Sequence, residues 1–401
     1  MVNRAPQLKS HFGYRKFKNL PYRFLFLKYD YFLQDSLIGE LKRRDHQVAT
    51  LPLPKNTPAG EALRTVLTKA VEVRPDAVIS INAMGLDSQG RIISILSDLN
   101  VPVVIWYLDN HLFNGPYFKE QSPDWAIAFT YERALEPGLR NAGFQHVFYL
   151  PLATDPALIP AHEDARFSFL RNRISFVGGT FTPAVDTYFQ AEFEVVYDQW
   201  NPDFGTVKQA SGRLDLEALF APFQDHFSAS EDFYRFMAYV IARETRRYRI
   251  DRLSKINNQA LVVFGPEEWH QFLPGLDVRS PVDYRHETPS VYHQSAVNLS
   301  FTTLQQETAL NQRYYDVPLC GGFLLGEWQE ALADQFDLDT EVVTFRTDDE
   351  LRDKASYYLS HPTDRESFIQ RARDRVLKEH LMEHRVENML DAVRSVCHES
   401  G

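Results

Sequence analysis

The chain has 401 residues, 44% of them apolar, enough for two or three domains with their own cores and too apolar for an unfolded chain. Its 43 basic and 54 acidic side chains give a net charge of −11, which argues against a general nucleic-acid surface. Two cysteines, Cys320 and Cys397, form neither a disulfide framework nor a metal-type pair, and no apolar run approaches the ~18 residues of a membrane span. With an N-terminus that lacks the apolar core of a signal peptide, these features predict a soluble protein of a reducing cytoplasm.

No acidic residue precedes Asp30, whereas Arg4, Lys9, Arg15, Lys16, Lys18, Arg23 and Lys28 do. Residues 1–21 are therefore expected to form a basic leader, either a solvated arm or a segment that docks on an anionic surface. A near-continuous apolar run, Arg23 to Tyr29, then reads as a strand covered on both faces. A helical pattern from Leu33 to Arg44 is followed by a strand at Gln47 to Leu51 and a second helix from Pro58 to Val73. Further strands fall at Ala77–Ile81, Val101–Tyr107, Ala126–Phe129 and Val147–Leu150, with helices between. This alternation predicts a parallel sheet with helices on both faces, spanning residues 22–160. Ligands of such sheets bind beyond the carboxyl ends of the strands, where Asp30, Asn82, Asp109, Asn110 and His111 fall.

Pro151 to Arg166 reads as a linker. A second run opens with Ile174–Val177 and Gly178-Gly179-Thr180, a strand entering paired glycines whose amides can approach an anion closely. Residues 181–258 show helical periodicity only and are expected to form a helical insertion. Strands resume at Leu261–Gly265, Asp277–Arg279, Ala296–Leu299, after Gly322, and at Glu341–Phe345. The second domain thus spans 165–380. One long charged helix is expected from Asp364 to Val396, with residues 381–401 packing back toward the first domain.

Asn311 to Leu325 reads as a short helix, a double-glycine stop and an apolar strand. Thr308 is a plausible N-cap, and Gly321-Gly322 gives the backbone freedom for a sharp exit. Arg313 and Asp316, three apart, project from one face. A cation near a helix start with a carboxylate one turn later suits phosphate and ribose. Two other patterns are set aside. Asp337-Leu338-Asp339 matches a metal-binding Asp-x-Asp but follows no strand, so it reads as a turn. His380-Leu381-Met382-Glu383-His384 has the inverted zinc-protease spacing but too little chain after it for a third ligand and a site wall.

The span from Val291 to Arg385 resembles the glycosyltransferase-like family of CgeB-type spore maturation proteins. The resemblance is carried by Asn298-Leu299, Asn311 with Arg313, Asp316-Val317-Pro318, Cys320-Gly321-Gly322-Phe323-Leu324-Leu325, Glu350-Leu351, Tyr357-Tyr358-Leu359, His361-Pro362 and Arg365. The first half resembles the domain that often precedes it, through Pro102-Val103-Val104-Ile105-Trp106 and Asp109-Asn110. The resemblance implies an α/β fold of two Rossmann-like domains facing across a cleft (GT-B-like). It also implies transfer of a sugar from a nucleotide-sugar donor to a protein or glycan hydroxyl, without a metal or other cofactor. On that likeness Gly178, Gly179, Thr180, Asn311, Arg313, Asp316, Gly321 and Gly322 lie on the donor side. Asp316 stands at the ribose carboxylate, and Arg313 neutralises phosphate. Many such enzymes carry a second glutamate eight positions earlier; here Thr308 stands there, beside Glu307. The acceptor's proton needs a base, for which Asp109 is the first candidate and His111 the alternative. A nucleotide-sugar 2-epimerase and a non-catalytic nucleotide-sugar-binding protein are the other readings.

Overall fold

A computed structural model of the chain describes residues 5–54, 57–113, 123–256 and 259–399. It divides into two compact units: residues 1–151 with 382–401, and residues 152–381. In the first unit, six strands form one parallel sheet: β1 (Arg23–Lys28), β2 (Gln47–Pro52), β3 (Ala77–Ile81), β4 (Val103–Tyr107), β5 (Ala126–Thr130) and β6 (His146–Tyr149). Their order is β2-β1-β3-β4-β5-β6. Every residue of β3, β4 and β5 is buried, which explains why these strands read as unbroken apolar runs and not as alternating ones. Leu25, Val78, Ile105 and Ala128 meet Val66, Ile93 and Leu96 of the covering helices in one core.

The basic leader departs from the solvated arm. Residues Ala5–His11 are helical, and Phe12 is fully buried in the same core. Lys16 is buried, donating to the carbonyls of Phe12 at 2.7 Å and Tyr14 at 3.1 Å, with its ammonium 3.6 Å from the Tyr14 ring centroid. Burial pulls its pKa down to about 8. The positive charge that marked the segment as soluble is spent on closing the turn after that helix.

In the second unit the sheet comprises β7 (Ile174–Val177), β8 (Leu261–Phe264), β9 (Asp277–Arg279), β10 (Val297–Ser300), β11 (Leu324–Glu327) and β12 (Val343–Phe345). The order is β12-β11-β10-β7-β8-β9, all parallel. Between β7 and β8 the described residues hold only helices, the longest Ser230–Ser254. These helices share an aromatic core in which Phe193 meets Phe236 and Phe220 meets Trp200 edge-on, at 5.6 and 5.3 Å. Each such pair adds about 0.5–1.5 kcal/mol to the burial of its rings.

The long C-terminal helix is two helices, Pro362–Glu379 and Met382–Glu399. At the break, the His380 carbonyl accepts from the Thr154 amide at 3.0 Å, Leu381 bridges Thr154, and the His380 ring bonds the Gln335 carbonyl at 2.9 Å. Competing partners thus end the first helix, and His380 and His384 do not share one helical face. Among the described residues no group of three His, Cys, Asp or Glu side chains is arranged to hold a metal ion.

Candidate functional site

Strand order reverses between β7 and β10, and the crevice beyond their carboxyl ends is where an open α/β sheet takes its ligand. Gly178-Gly179-Thr180 leaves β7 at that point. The Gly178 amide is already used, donating to the Phe264 carbonyl at 3.0 Å, while its own carbonyl accepts from the Trp269 indole at 3.0 Å. A Cβ on Gly265 would overlap that carbonyl, so the glycine after β8 permits the loop's position. Gly179 faces open space, and Thr180 is buried, its hydroxyl 3.1 Å from that of Thr182.

Asn311 ties β10 to the following helix. Its side-chain oxygen accepts from the Ser300 hydroxyl at 2.9 Å and the Arg313 amide at 3.1 Å, and its nitrogen donates to the Phe301 carbonyl at 3.2 Å. The helix therefore starts at Arg313, and Thr308 does not cap it. The Arg313 guanidinium donates to the Val177 carbonyl, and a Cβ on Gly178 would sit 3.3 Å from it. The same Cβ would come within 2.9 Å of the Phe176 ring, and the two approaches together require the glycine.

A second arginine, absent from the sequence reading, completes this corner. Arg249, on the Ser230–Ser254 helix, is 5% exposed and donates to the Gly179 carbonyl at 3.0 Å. Burial, and then the neighbouring Arg313, pull its pKa down to about 9. Neither guanidinium forms an ion pair among the described residues, and the Nε of each is buried without a hydrogen-bond partner. Two adjacent cations, Arg249 buried and Arg313 half-buried, repel each other, and an anion between them reverses the sign of that energy. The available signal was register: Arg249 lies four residues from buried Thr245 and four from buried Leu253, on the face where a cation is least expected.

Asp316, one turn beyond Arg313, is 1% exposed. It accepts from Thr154 at 2.6 Å, Tyr284 at 2.8 Å and Gln312 at 2.8 Å. Burial outweighs these donors and lifts its pKa to about 6. Glu307 is buried with its carboxylate on the Leu216 amide at 3.2 Å. Gly321 and Gly322 belong elsewhere. They precede β11, at the amino edge of the sheet, opposite the Gly178 loop. Gly321 has φ of +74°, and a Cβ on Gly322 would overlap the Tyr292 carbonyl. Their absent side chains serve the turn and its packing, which corrects their grouping with the donor residues.

In the first unit, Asp109 follows β4. Asn82, held at φ 50° after β3, clamps it: its oxygen accepts the Leu108 and Asp109 amides at 2.7 and 3.1 Å, and its nitrogen donates to the carboxylate at 2.8 Å. The Tyr31 phenol donates to the same carboxylate oxygen. His111 is 1% exposed, and burial, partly offset by the Gly138 backbone, pulls its pKa down to about 4, so it is neutral near pH 7. Asp337 caps the Asp339 and Thr340 amides at 2.9 and 3.2 Å, a turn.

Residues 215–391 match a protein-family model described as glycosyl transferase-like. Sucrose-phosphate synthase from Thermosynechococcus elongatus aligns with a TM-score of 0.53 at 9% identity, covering 94% of this chain and 99% of that one. AviGT4, a glycosyltransferase involved in avilamycin A biosynthesis, gives 0.52 at 12% identity, covering 94% and 99%. Anabaena HepE in complex with UDP and glucose gives 0.51 at 10% identity, covering 93% and 100%. No significant match is found among curated proteins. No described helix is long and apolar enough to cross a membrane. The fold is thus that of the GT-B glycosyltransferases, and residues 215–391 carry the glycosyl transferase-like signature.

Proposed function

We propose that this protein is a nucleotide-sugar-dependent glycosyltransferase that acts on a protein or glycan hydroxyl, of the CgeB-like kind, in the cytoplasm. The observation that carries this reading is the pair of guanidiniums, Arg249 buried and Arg313 half-buried, set around Gly178-Gly179 with no carboxylate at ion-pair distance among the described residues. A nucleoside diphosphate supplies the missing negative charge. Breaking the bond between anomeric carbon and phosphate sends its electron pair to the diphosphate, and the two arginines stabilise the charge that develops there. They supply the positive charge that a bound metal ion supplies elsewhere, so no metal is required.

Asp316 faces the ribose, whose hydroxyl takes over the hydrogen bond now donated by Tyr284. Asp109 accepts the proton of the acceptor hydroxyl as that oxygen attacks the anomeric carbon. It is favoured over His111 because it is partly exposed and oriented by Asn82, whereas the imidazole is buried. Thermal shift against nucleoside diphosphates tests the reading, since a ligand that binds the folded state at 100 Kd stabilises it by about 2.7 kcal/mol. At least one diphosphate is expected to raise Tm, and Arg249→Ala and Arg313→Ala to abolish the rise. A Tm indifferent to every nucleotide overturns the proposal.

A further inference from the structure

The helices between β7 and β8 line a concavity of unit 2, about 260 Å³ in volume, at the carboxyl ends of β11 and β12. Four cations line it, Lys208, Arg213, Arg252 and Arg346, against two carboxylates, Glu327 and Glu330, in a chain whose net charge is −11. The inner wall is a fixed polar frame. Lys208 is 4% exposed, donates to Thr302 at 2.7 Å and lies 3.7 Å from Glu327. Glu327 also accepts from the Thr302 amide at 3.0 Å, the Thr302 hydroxyl at 2.6 Å and the Tyr248 phenol. Arg252, 2% exposed, pairs with Asp348, yet its Nε is buried without a partner. The outer wall holds Arg213 and Arg346, both exposed, the latter stacked 3.6 Å over the Trp328 ring.

Two relations join this cavity to the arginine corner. Strand β11 lies two positions from β7, so Glu327 is on the order of 10 Å from the Gly178 loop at ~4.8 Å per strand. Arg252 also follows Arg249 by three residues, so one face of one helix serves both. A diphosphate held by Arg249 with its ribose at Asp316 leaves this cavity for the group on the other phosphate. Its volume suits one hexose; with Lys208 beside Glu327 and Arg252 paired to Asp348, the two rim arginines, Arg213 and Arg346, against Glu330 suit a negative charge.

We infer that the cavity holds the glycosyl group of the donor and selects a hexose that carries an acidic substituent, a carboxylate or a phosphate. This inference rests on the donor reading above. The carboxylate or phosphate meets Arg213 and Arg346 at the rim, while Glu327 and Lys208 supply the frame for ring hydroxyls.

Calorimetric titration of the full-length protein tests it with UDP, UDP-glucose and UDP-glucuronate, or with GDP, GDP-mannose and GDP-mannuronate where guanosine is the bound base. Each pair of sugars differs at one carbon only. The wild-type protein is expected to bind the hexuronate donor at least tenfold more tightly than the neutral one. Arg346→Gln and Arg213→Gln should each reduce that preference severalfold, with affinity for the plain diphosphate unchanged and Tm unaltered. Equal affinity for both donors, with the diphosphate still bound, overturns this inference and leaves the donor reading standing. A protein that binds none of the diphosphates overturns both.

Discussion

Replacing Asp316 by asparagine isolates the cost of burying its carboxylate. In the folded protein its pKa rises from 3.8 to about 6, because burial outweighs the donors on its oxygens. A group whose folded pKa is raised holds its proton more firmly in the native state than in the unfolded chain. The stability it contributes is complete below pH 3.8 and is lost as pH rises through about 6. A shift of about 2 units at 1.36 kcal/mol each makes that loss about 3 kcal/mol. Asparagine does not titrate, so the stability of Asp316→Asn relative to the wild-type protein should climb by up to about 3 kcal/mol between about pH 4 and pH 7, then level off. Urea unfolding at half-unit pH intervals, without nucleotide, measures the difference directly. A difference that stays flat across this range would show that the carboxylate is not held in a desolvated pocket, and the account of the site would fail there. Nucleotide affinity should move the other way, because the amide is a poorer acceptor for a ribose hydroxyl. Stability gained and binding lost in one variant is the pattern of a group kept for function.

Other substitutions probe the remaining parts. Asp109→Asn should leave nucleotide affinity within twofold of the parent while transfer, followed as nucleoside diphosphate released in the presence of acceptor, falls by about 10²–10⁴; transfer at the parental rate removes Asp109 as the base. Gly322→Ala forces a methyl group onto the Tyr292 carbonyl and should cost about 1–3 kcal/mol in denaturant unfolding, with no change in nucleotide affinity per folded molecule. An affinity loss without destabilisation would return Gly322 to the donor site. Phe12→Ala removes a fully buried ring and should destabilise the first unit by about 3–5 kcal/mol. A solvated leader predicts no effect.

The inner strands were legible because a parallel sheet covered on both faces writes itself as short apolar runs, as in Val103–Tyr107 and Leu261–Phe264. The edge strands β2 and β9, without a buried residue, were read from the alternation around them. Local chemistry also singled out the Gly178 loop and Arg313, which the fold brings together through the Val177 carbonyl, since paired glycines after a strand and a cation at a helix start have direct physical readings. What escaped depended on partners distant in sequence. Arg249 meets Gly179 across 70 positions; its register with Thr245 and Leu253 marks it as a cation on a buried face, but not what it meets there. The break at His380 is set by Thr154, and Phe12 is buried by strands that follow it. Gly321-Gly322 failed differently: the turn was read correctly, but the sequence did not say at which edge of the sheet it lies. Asn82 was placed at a strand end, yet its grip on Asp109 depends on a left-handed backbone that only the fold reveals.

The central claim is that Arg249 and Arg313 hold a diphosphate, and calorimetric titration along one phosphate series tests it most directly. For the nucleoside that binds, the account predicts affinity rising at least a hundredfold from nucleoside through monophosphate to diphosphate, and that rise collapsing in the Arg249→Ala/Arg313→Ala double variant. A nucleoside bound as tightly as its diphosphate, or a double variant with the series intact, would contradict it.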